Sequence, residues 1–220
     1  MEEFIVTIDG PAGSGKSTIA KIIAKKYKFT YLDTGAMYRM IALYALENNI
    51  DLEDKIAIKN MLDNTKLDIV ENKFFLNGKD VSEEIRTPKV SAVVSPVAAI
   101  KEVRVKLVDL QREISKGKKT ILDGRDIGTV VFPNADVKIY LVASPEERAN
   151  RRLKEYKEKG VEADYESVLA SIKERDFIDS TREESPLMKA EDAHEIDSSI
   201  MSIEEVVEEI SKYIDKKIGA

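Results

Sequence analysis

Cysteine is absent from the chain, and there is a single histidine, His194. Without thiols there are no disulfides, thiolate nucleophiles, zinc-cysteine sites or iron-sulfur clusters, and one imidazole leaves no His-rich metal site. Serine-histidine hydrolysis would rest on that one residue. Long apolar runs are missing too. The longest near-apolar stretch, Ala92 to Ile100, is broken by Ser95 and Pro96, well short of the roughly 20 apolar residues of a spanning helix, so no membrane partner is expected. Met1 to Phe4 carry glutamates where a secretory signal would be basic and then apolar, and the expected location is cytoplasmic. Positive charge is also scarce. The 35 Lys plus Arg against 41 Asp plus Glu leave a formal charge of -6, a poor footprint for binding nucleic acid. No nucleic-acid partner is expected, and an anionic ligand must be met by cations gathered locally.

The 220 residues suffice for one domain with a full core, or one domain carrying an insertion. Phe4-Ile5-Val6-Thr7-Ile8 is short, β-branched and stops at Asp9-Gly10, which predicts a buried strand. Behind Gly15, the residues Ile19, Ile22, Ile23 and Tyr27 recur at helical spacing, with Lys21, Lys25 and Lys28 on another face. A strand over Thr30 to Leu32 and a helix from about Gly35 to Glu47 complete a βαβα order, the pattern of a parallel sheet covered by helices. The order then breaks. Leu67 to Val70, Lys73 to Leu76 and Lys79 to Val81 read as short strands separated by Glu71-Asn72 and Asn77-Gly78, the latter a strong hairpin signal. Helices are expected to about Lys116, and Thr120 to Asp123 and Val137 to Val142 restore buried-strand composition. Ser144-Pro145-Glu146-Glu147 is a capping box with proline at the first helical position, opening a helix to about Lys159 that Gly160 ends. Another helix is predicted over Asp164 to Phe177. The last is boxed by Ser202 and Glu205 and buries Ile203, Val206, Val207, Ile210 and Ile214. No exposed apolar stripe remains, so a monomer is expected.

Gly10-Pro11-Ala12-Gly13-Ser14-Gly15-Lys16-Ser17 fits G-x-x-x-x-G-K-[ST] between a predicted strand and a predicted helix, where its mechanism requires it. Glycines let backbone N–H groups turn onto phosphate oxygens, and the helix amino terminus adds partial positive charge. Lys16 reaches the terminal phosphates, Ser17 offers a hydroxyl to Mg²⁺, and Thr18 ends the expected ATP-binding segment as a helix residue. No aspartate has a glycine three positions later, so the GTPase segment is missing. Thr65-Lys66-Leu67-Asp68 resembles a guanine-reading motif but leads straight into the hairpin. An ATPase that activates water usually follows its buried strand aspartate with a carboxylate, whereas Asp123 is followed by Gly124. The expected nucleophile is therefore a substrate oxygen, and the expected reaction is a kinase's.

Phosphoryl transfer gathers negative charge in one place, and arginines are the residues suited to hold it. The chain has ten, and Arg39, Arg104, Arg125, Arg148, Arg151, Arg152, Arg175 and Arg182 lie in segments with a reason to face a ligand. Arg148, Arg151 and Arg152 share one helical face, which is equally the description of a solvated basic face paired with Glu147 or Glu155. Arg175, Asp179 and Arg182 share another if their helix continues so far, and an i,i+4 ion pair is the alternative. Gly124-Arg125-Asp126-Ile127-Gly128-Thr129 follows a predicted buried strand, at the strand end where open α/β sheets bind ligands.

Together the stretches Ile8 to Ser17, Leu32-Asp33-Thr34-Gly35-Ala36-Met37-Tyr38-Arg39, Glu84-Ile85-Arg86-Thr87, Asp123 to Pro133 and Lys173-Glu174-Arg175-Asp176 resemble the bacterial cytidylate kinase family, in family order from about Ile5 to Ile210. The resemblance implies transfer of the γ-phosphoryl of ATP, with Mg²⁺, to CMP or dCMP, giving ADP and CDP or dCDP. It implies a single P-loop NTPase-type domain over 1–220, a parallel sheet flanked by helices. The core would comprise about 1–60, 113–147 and 190–220, a small antiparallel β/α insert for the monophosphate about 61–112, and a helical lid about 148–185. Carried over by residue, it places Thr34, Arg39, Arg125 and Arg175 around the acceptor phosphate, and Ser95, Arg104 and Asp126 at the cytosine. Asp179 falls near the ribose and Arg182 at a substrate-site arginine position. Arg148, Arg151 and Arg152 fall in or beside the lid, and Lys16, Arg125, Arg148, Arg152 and Arg175 supply the catalytic charge. The chemistry is consistent: cytosine offers an N4 donor to a carboxylate, as in groove readout, whereas uracil would turn a carbonyl toward it. UMP is expected to be a poor acceptor. The rivals are a P-loop kinase for AMP or a sugar acid, and a regulator that binds ATP without transferring phosphate.

Overall fold

A short β-branched run with apolar residues on both faces needs cover on both sides, as a central parallel strand does. The computed structural model, which describes residues 3–70, 73–158 and 160–219, places β1 (Phe4–Asp9) in that position. It pairs in parallel with β6 (Lys119–Gly124), Asp9 opposite Gly124, and with β7 (Val137–Val142), Asp9 opposite Tyr140. With β2 (Thr30–Asp33) and β8 (His194–Asp197) at the edges, the five strands run in the order β2-β6-β1-β7-β8. Val6 and Ile8 of β1 join Ile121, Ile139, Leu141 and Ile196 in a core. That core is covered by Ile19 and Ile23 of α1 (Lys16–Tyr27) and by Val206, Val207, Ile210 and Ile214 of α8 (Ile203–Ile218). Each of these fully buried aliphatic side chains contributes about 1.5–3 kcal/mol.

The boxed start of α8 forms as expected: the Glu205 N–H donates to Ser202 Oγ and the Ser202 N–H to Glu205 Oε2, at 3.2 and 2.8 Å. Ile203, expected in its buried stripe, is instead 47% exposed, because the first helical position lies before the turn that meets the sheet. The edge strand β8 was not expected. Only Ile196 of its four residues is buried, so it lacks the apolar signature of a strand, and His194, which the sequence left without a role, opens it and stacks on Tyr213 at 3.8 Å. α6 (Pro145–Glu158) and α7 (Tyr165–Thr181) pack through Ala149, Val168 and Ile172. Apolar periodicity ends at exposed Phe177, yet α7 runs on to Thr181, anchored by buried Asp179. The helix end expected at Lys159, the turn expected at Glu71-Asn72 and the residues Met1 and Glu2 lie outside the described residues.

The chain divides into two compact units, residues 1–32 with 115–220, and residues 33–114. The second unit carries an antiparallel sheet of β3 (Leu67–Val70), β4 (Lys73–Leu76) and β5 (Lys79–Asp80), with Asn77 and Gly78 both at positive φ in the hairpin turn. Its helices are α2 (Thr34–Glu47), α3 (Lys55–Asp63), α4 (Pro88–Ala99) and α5 (Lys101–Ser115). α2, expected with the core segment over residues 1–60, belongs to this unit because it packs on α4 and β4. Pro96 lies inside α4. Among the described residues no helix is long and apolar enough to cross a membrane.

Candidate active site

The phosphate-type loop leaves β1 at Gly10, which must be glycine: its φ is +150°, and a Cβ there would sit 2.0 Å from the Leu141 carbonyl oxygen of β7. The loop ends at the amino terminus of α1, which supplies partial positive charge. Lys16, 5% exposed, curls back so that Nζ donates to Pro11 O at 2.6 Å. Burial, then the Arg125 guanidinium, hold its pKa well below the ordinary lysine value, against the pull of Asp123. Ser17 Oγ donates to Asp123 Oδ2 and Tyr31 OH to Asp123 Oδ1, both at 2.7 Å. A hydroxyl paired with a buried carboxylate is a hard oxygen set of the kind Mg²⁺ takes when phosphates complete its shell. Asp123 and Tyr31 were not among the expected site residues. The signal for Asp123 was present, an aspartate ending an apolar strand, whereas nothing local marked Tyr31. Thr18 faces solvent in the first turn of α1.

The turn after β6 is tied to β1. Asp9 Oδ1 and Oδ2 accept from the Ile127 and Gly128 N–H groups at 2.8 and 2.7 Å. Burial pushes the Asp9 carboxyl up to about 7, against the lowering effect of those two bonds. Arg125, Asp126, Arg175, Asp179 and Arg182 come together as one charged cluster. Arg125 Nε donates to Asp179 Oδ2 at 2.9 Å, Arg175 Nε stands 3.9 Å from the same oxygen, and Arg182 lies 4.0 Å from Asp179 Oδ1 and 3.8 Å from Asp126 Oδ1. Burial raises the Asp179 pKa, but Arg125, Arg175 and Arg182 outweigh it and hold the carboxyl below its ordinary value. Arg182 Nε and Nη2 also grip Ser185 O at 2.9 and 2.7 Å.

The three arginines of α6 separate. Arg148 is 2% exposed and donates through Nε to Ala143 O at 2.9 Å and through Nη1 to Ala12 O at 3.1 Å. It also forms a bidentate pair with Asp176 at 3.0 and 2.6 Å. Most of its donor capacity therefore serves the loop backbone and α7. Arg151 pairs with Glu147 at 2.9 Å and donates to Ser198 O at 2.6 Å, while Arg152 stands 3.9 Å from Glu155. The carboxylate partners weighed from the sequence are thus those of Arg151 and Arg152, and Arg148 has a different one.

Thr34, Arg39, Ser95 and Arg104 belong to the second unit. Asp33 caps α2, accepting from Ala36 N at 2.8 Å, which fixes buried Thr34 as the first helical residue. Arg39 donates to Ser91 Oγ at 2.8 Å and Ile85 O at 3.1 Å. Buried Arg104 lies over the Tyr38 ring at 5.3 Å and donates to Ala98 O at 3.0 Å, and the buried Ser95 hydroxyl makes no hydrogen bond among the described residues.

A parallel sheet with β1 at its centre, a glycine loop at the carboxyl end of that strand, its lysine, and a Ser–Asp oxygen pair define the P-loop class of nucleotide-binding proteins. A gluconokinase from Sinorhizobium meliloti shares the fold at TM-score 0.50 and 13% identity, over 97% of this chain and 93% of that one. The family model described as Cytidylate kinase matches residues 6–216, and the chain belongs to that family. A cytidylate kinase of Fusobacterium nucleatum is 62% identical over 98% of this chain and 99% of its own. One of Carboxydothermus hydrogenoformans is 52% identical over 96% and 97%.

Proposed function

We propose that this protein transfers the γ-phosphoryl group of ATP to a phosphate oxygen of CMP or dCMP, releasing ADP and CDP or dCDP. The observation that carries the reading is the cluster in the phosphate-loop unit, where Arg125, Arg175 and Arg182 gather around buried Asp179, with Asp126 beside Arg182. The guanidinium charge exceeds that of the two carboxylates, which suits an anionic ligand with a base to be read by Asp126. Thr34, Arg39, Arg125 and Arg175 hold the acceptor phosphate, Ser95, Arg104 and Asp126 the cytosine, Asp179 the ribose, and Arg182 orients Asp126 and Asp179. The enzyme is a cytoplasmic monomer that takes both nucleotides as free small molecules.

An acceptor phosphate oxygen attacks the γ-phosphorus, and the bond to the β,γ-bridging oxygen breaks with its electron pair leaving on ADP. The acceptor is already ionised at neutral pH, so no side chain serves as a strong base. Lys16 and the arginines stabilise the charge as it shifts, and the backbone of 10–17 aligns the donor phosphates. Ser17 and Asp123 would hold the Mg²⁺ that accompanies ATP, which would supply further charge neutralisation. Arg148 holds the loop from behind, and Arg152 contributes charge from the exposed side of α6.

The test is an ADP-release assay with MgATP against CMP, dCMP, UMP, AMP and gluconate. Preference for CMP and dCMP over UMP is expected, and Lys16→Ala lowers turnover by at least about a hundredfold. Preference for AMP or gluconate would refute the cytosine assignments, and ATP binding without ADP release would refute the kinase reading.

A further inference from the structure

Arg125 and Asp126 leave the end of β6 at Gly124 and lead into a turn that belongs to neither strand nor α-helix. It is a single π-helical turn, Ile127–Val131, whose own bonds begin with the Val130 and Val131 N–H groups donating to Asp126 O at 2.9 and 3.3 Å. The N–H groups of Ile127 and Gly128 open the turn and have no place in that ladder. Both are taken by one carboxylate, that of Asp9, the last residue of β1 and the one before Gly10. The fit is close. A Cβ on Gly128 would stand 3.0 Å from Thr7 Oγ1, 3.2 Å from Lys138 Cδ and 3.3 Å from Asp9 Oδ2.

Resting on the reading of this site as a nucleotide kinase, we infer that Asp9 is a positioning residue for the acceptor nucleotide. Its carboxylate latches the turn carrying Arg125 and Asp126 to the root of the phosphate loop. Asp9 itself touches no substrate. The β1–β6 ladder fixes the segment at Gly124, and the two Asp9 bonds fix it beyond Asp126, so together they set the angle between the acceptor-reading pair and the ATP-binding loop. The loop does not depend on that latch. It is held by Arg148 on Ala12 O, Ser198 Oγ on Ser14 O and Lys16 on Pro11 O. Loss of the Asp9 carboxylate therefore falls on the acceptor and not on ATP. Asparagine is the informative replacement, because its amide keeps the shape but sets an N–H donor against one of the two backbone donors.

The experiment compares the full-length protein with Asp9→Asn and Gly128→Ala, which attack the latch from its two sides. In both variants the KM for CMP is expected to rise about tenfold or more, CMP-over-UMP preference to shrink, and the KM for ATP to stay within about twofold, as loss of charge-assisted bonds at one site predicts. Amide hydrogen exchange without nucleotide is measured in the same preparations. Exchange at Ile127 and Gly128 should speed up at least about tenfold in Asp9→Asn while amides of 11–15 keep their protection. Unchanged exchange and unchanged CMP KM overturn the latch. Equal losses for ATP and CMP, with loop amides also deprotected, overturn it too, since Asp9 would then be part of the general scaffold. If the unaltered protein phosphorylates no CMP, the kinase reading fails by itself, and exchange still decides whether Asp9 holds the turn.

Discussion

Replacing Arg148 with methionine keeps a long apolar stem in place but removes a guanidinium whose side chain is 3% exposed. Lost with it are the bidentate pair to Asp176 and the bonds to Ala12 O and Ala143 O. Deleting one partner of a buried pair costs about 3–5 kcal/mol, chiefly because the other charge stays buried. Asp176 is 26% exposed and regains part of its hydration, which puts the expected loss near the lower end, about 3 kcal/mol. At about 2–4 °C per kcal/mol for a chain of this size, Tm falls by about 6–12 °C. Urea and thermal unfolding of Arg148→Met, Asp176→Asn and the double variant measure the loss, and the cycle should give a coupling of at least about 1 kcal/mol. Kinetics separate support of the loop from contact with the transferring group. Support predicts a raised KM for ATP and a kcat within about tenfold of the original. A Tm within about 1 °C of the original would refute the buried pair. A kcat loss of about a thousandfold at unchanged Tm would mean that Arg148 touches the reacting phosphates.

Three further outcomes follow from the same geometry. Asp9 holds its proton up to about 7 in the fold against an ordinary 3.8, so the stability it contributes is fully present below about pH 4 and is lost as pH rises through 7. Asp9→Asn has no such loss, and its urea stability relative to the original protein should improve by about 2–3 kcal/mol between pH 5 and 8; a constant difference would refute the burial effect. Asp123→Asn keeps the size that bonds Ser17 and Tyr31 but removes the charge, so half-maximal activity should need about 10–100 times more Mg²⁺, and an unchanged Mg²⁺ titration would exclude a role behind the ion. Gly10→Ala forces a Cβ to within 2.0 Å of Leu141 O, so the variant should lose more than about 4 kcal/mol or fail to fold, and a normal melting curve would refute the close approach.

In the central sheet β1, β6 and β7 were legible because they are buried on both faces, where composition alone marks a strand, and the edge strand β2 was legible from its place in the βαβα order and its buried Leu32. β8 was invisible for the opposite reason: an edge strand with one buried residue carries no periodicity, and its place is set by pairing with β7. The phosphate loop could be read residue by residue since its chemistry is local, carried by backbone and by spacing. The arginines could be counted but not sorted. Arg148, Arg151 and Arg152 share a helical face, yet one is buried against Asp176 and the others pair with neighbours on α6, a distinction made by α7 and not by spacing. Asp9 could not have been singled out, because its partners are backbone N–H groups 118 and 119 residues away.

The central place of β1 has a bearing on when the protein becomes able to bind its donor during synthesis. The strand leaves the ribosome before both of its neighbours, which come from beyond residue 118, and the carbonyl against which Gly10 closes belongs to Leu141. At ~5–20 residues per second, β1 waits about 6–26 seconds for partners. The residues of the second unit, by contrast, form one continuous stretch, 33–114, and can fold in that interval. Its compaction brings the ends of the long connection between β1 and β6 nearer together, reducing the loop-closure entropy that a flexible chain of the same length would lose.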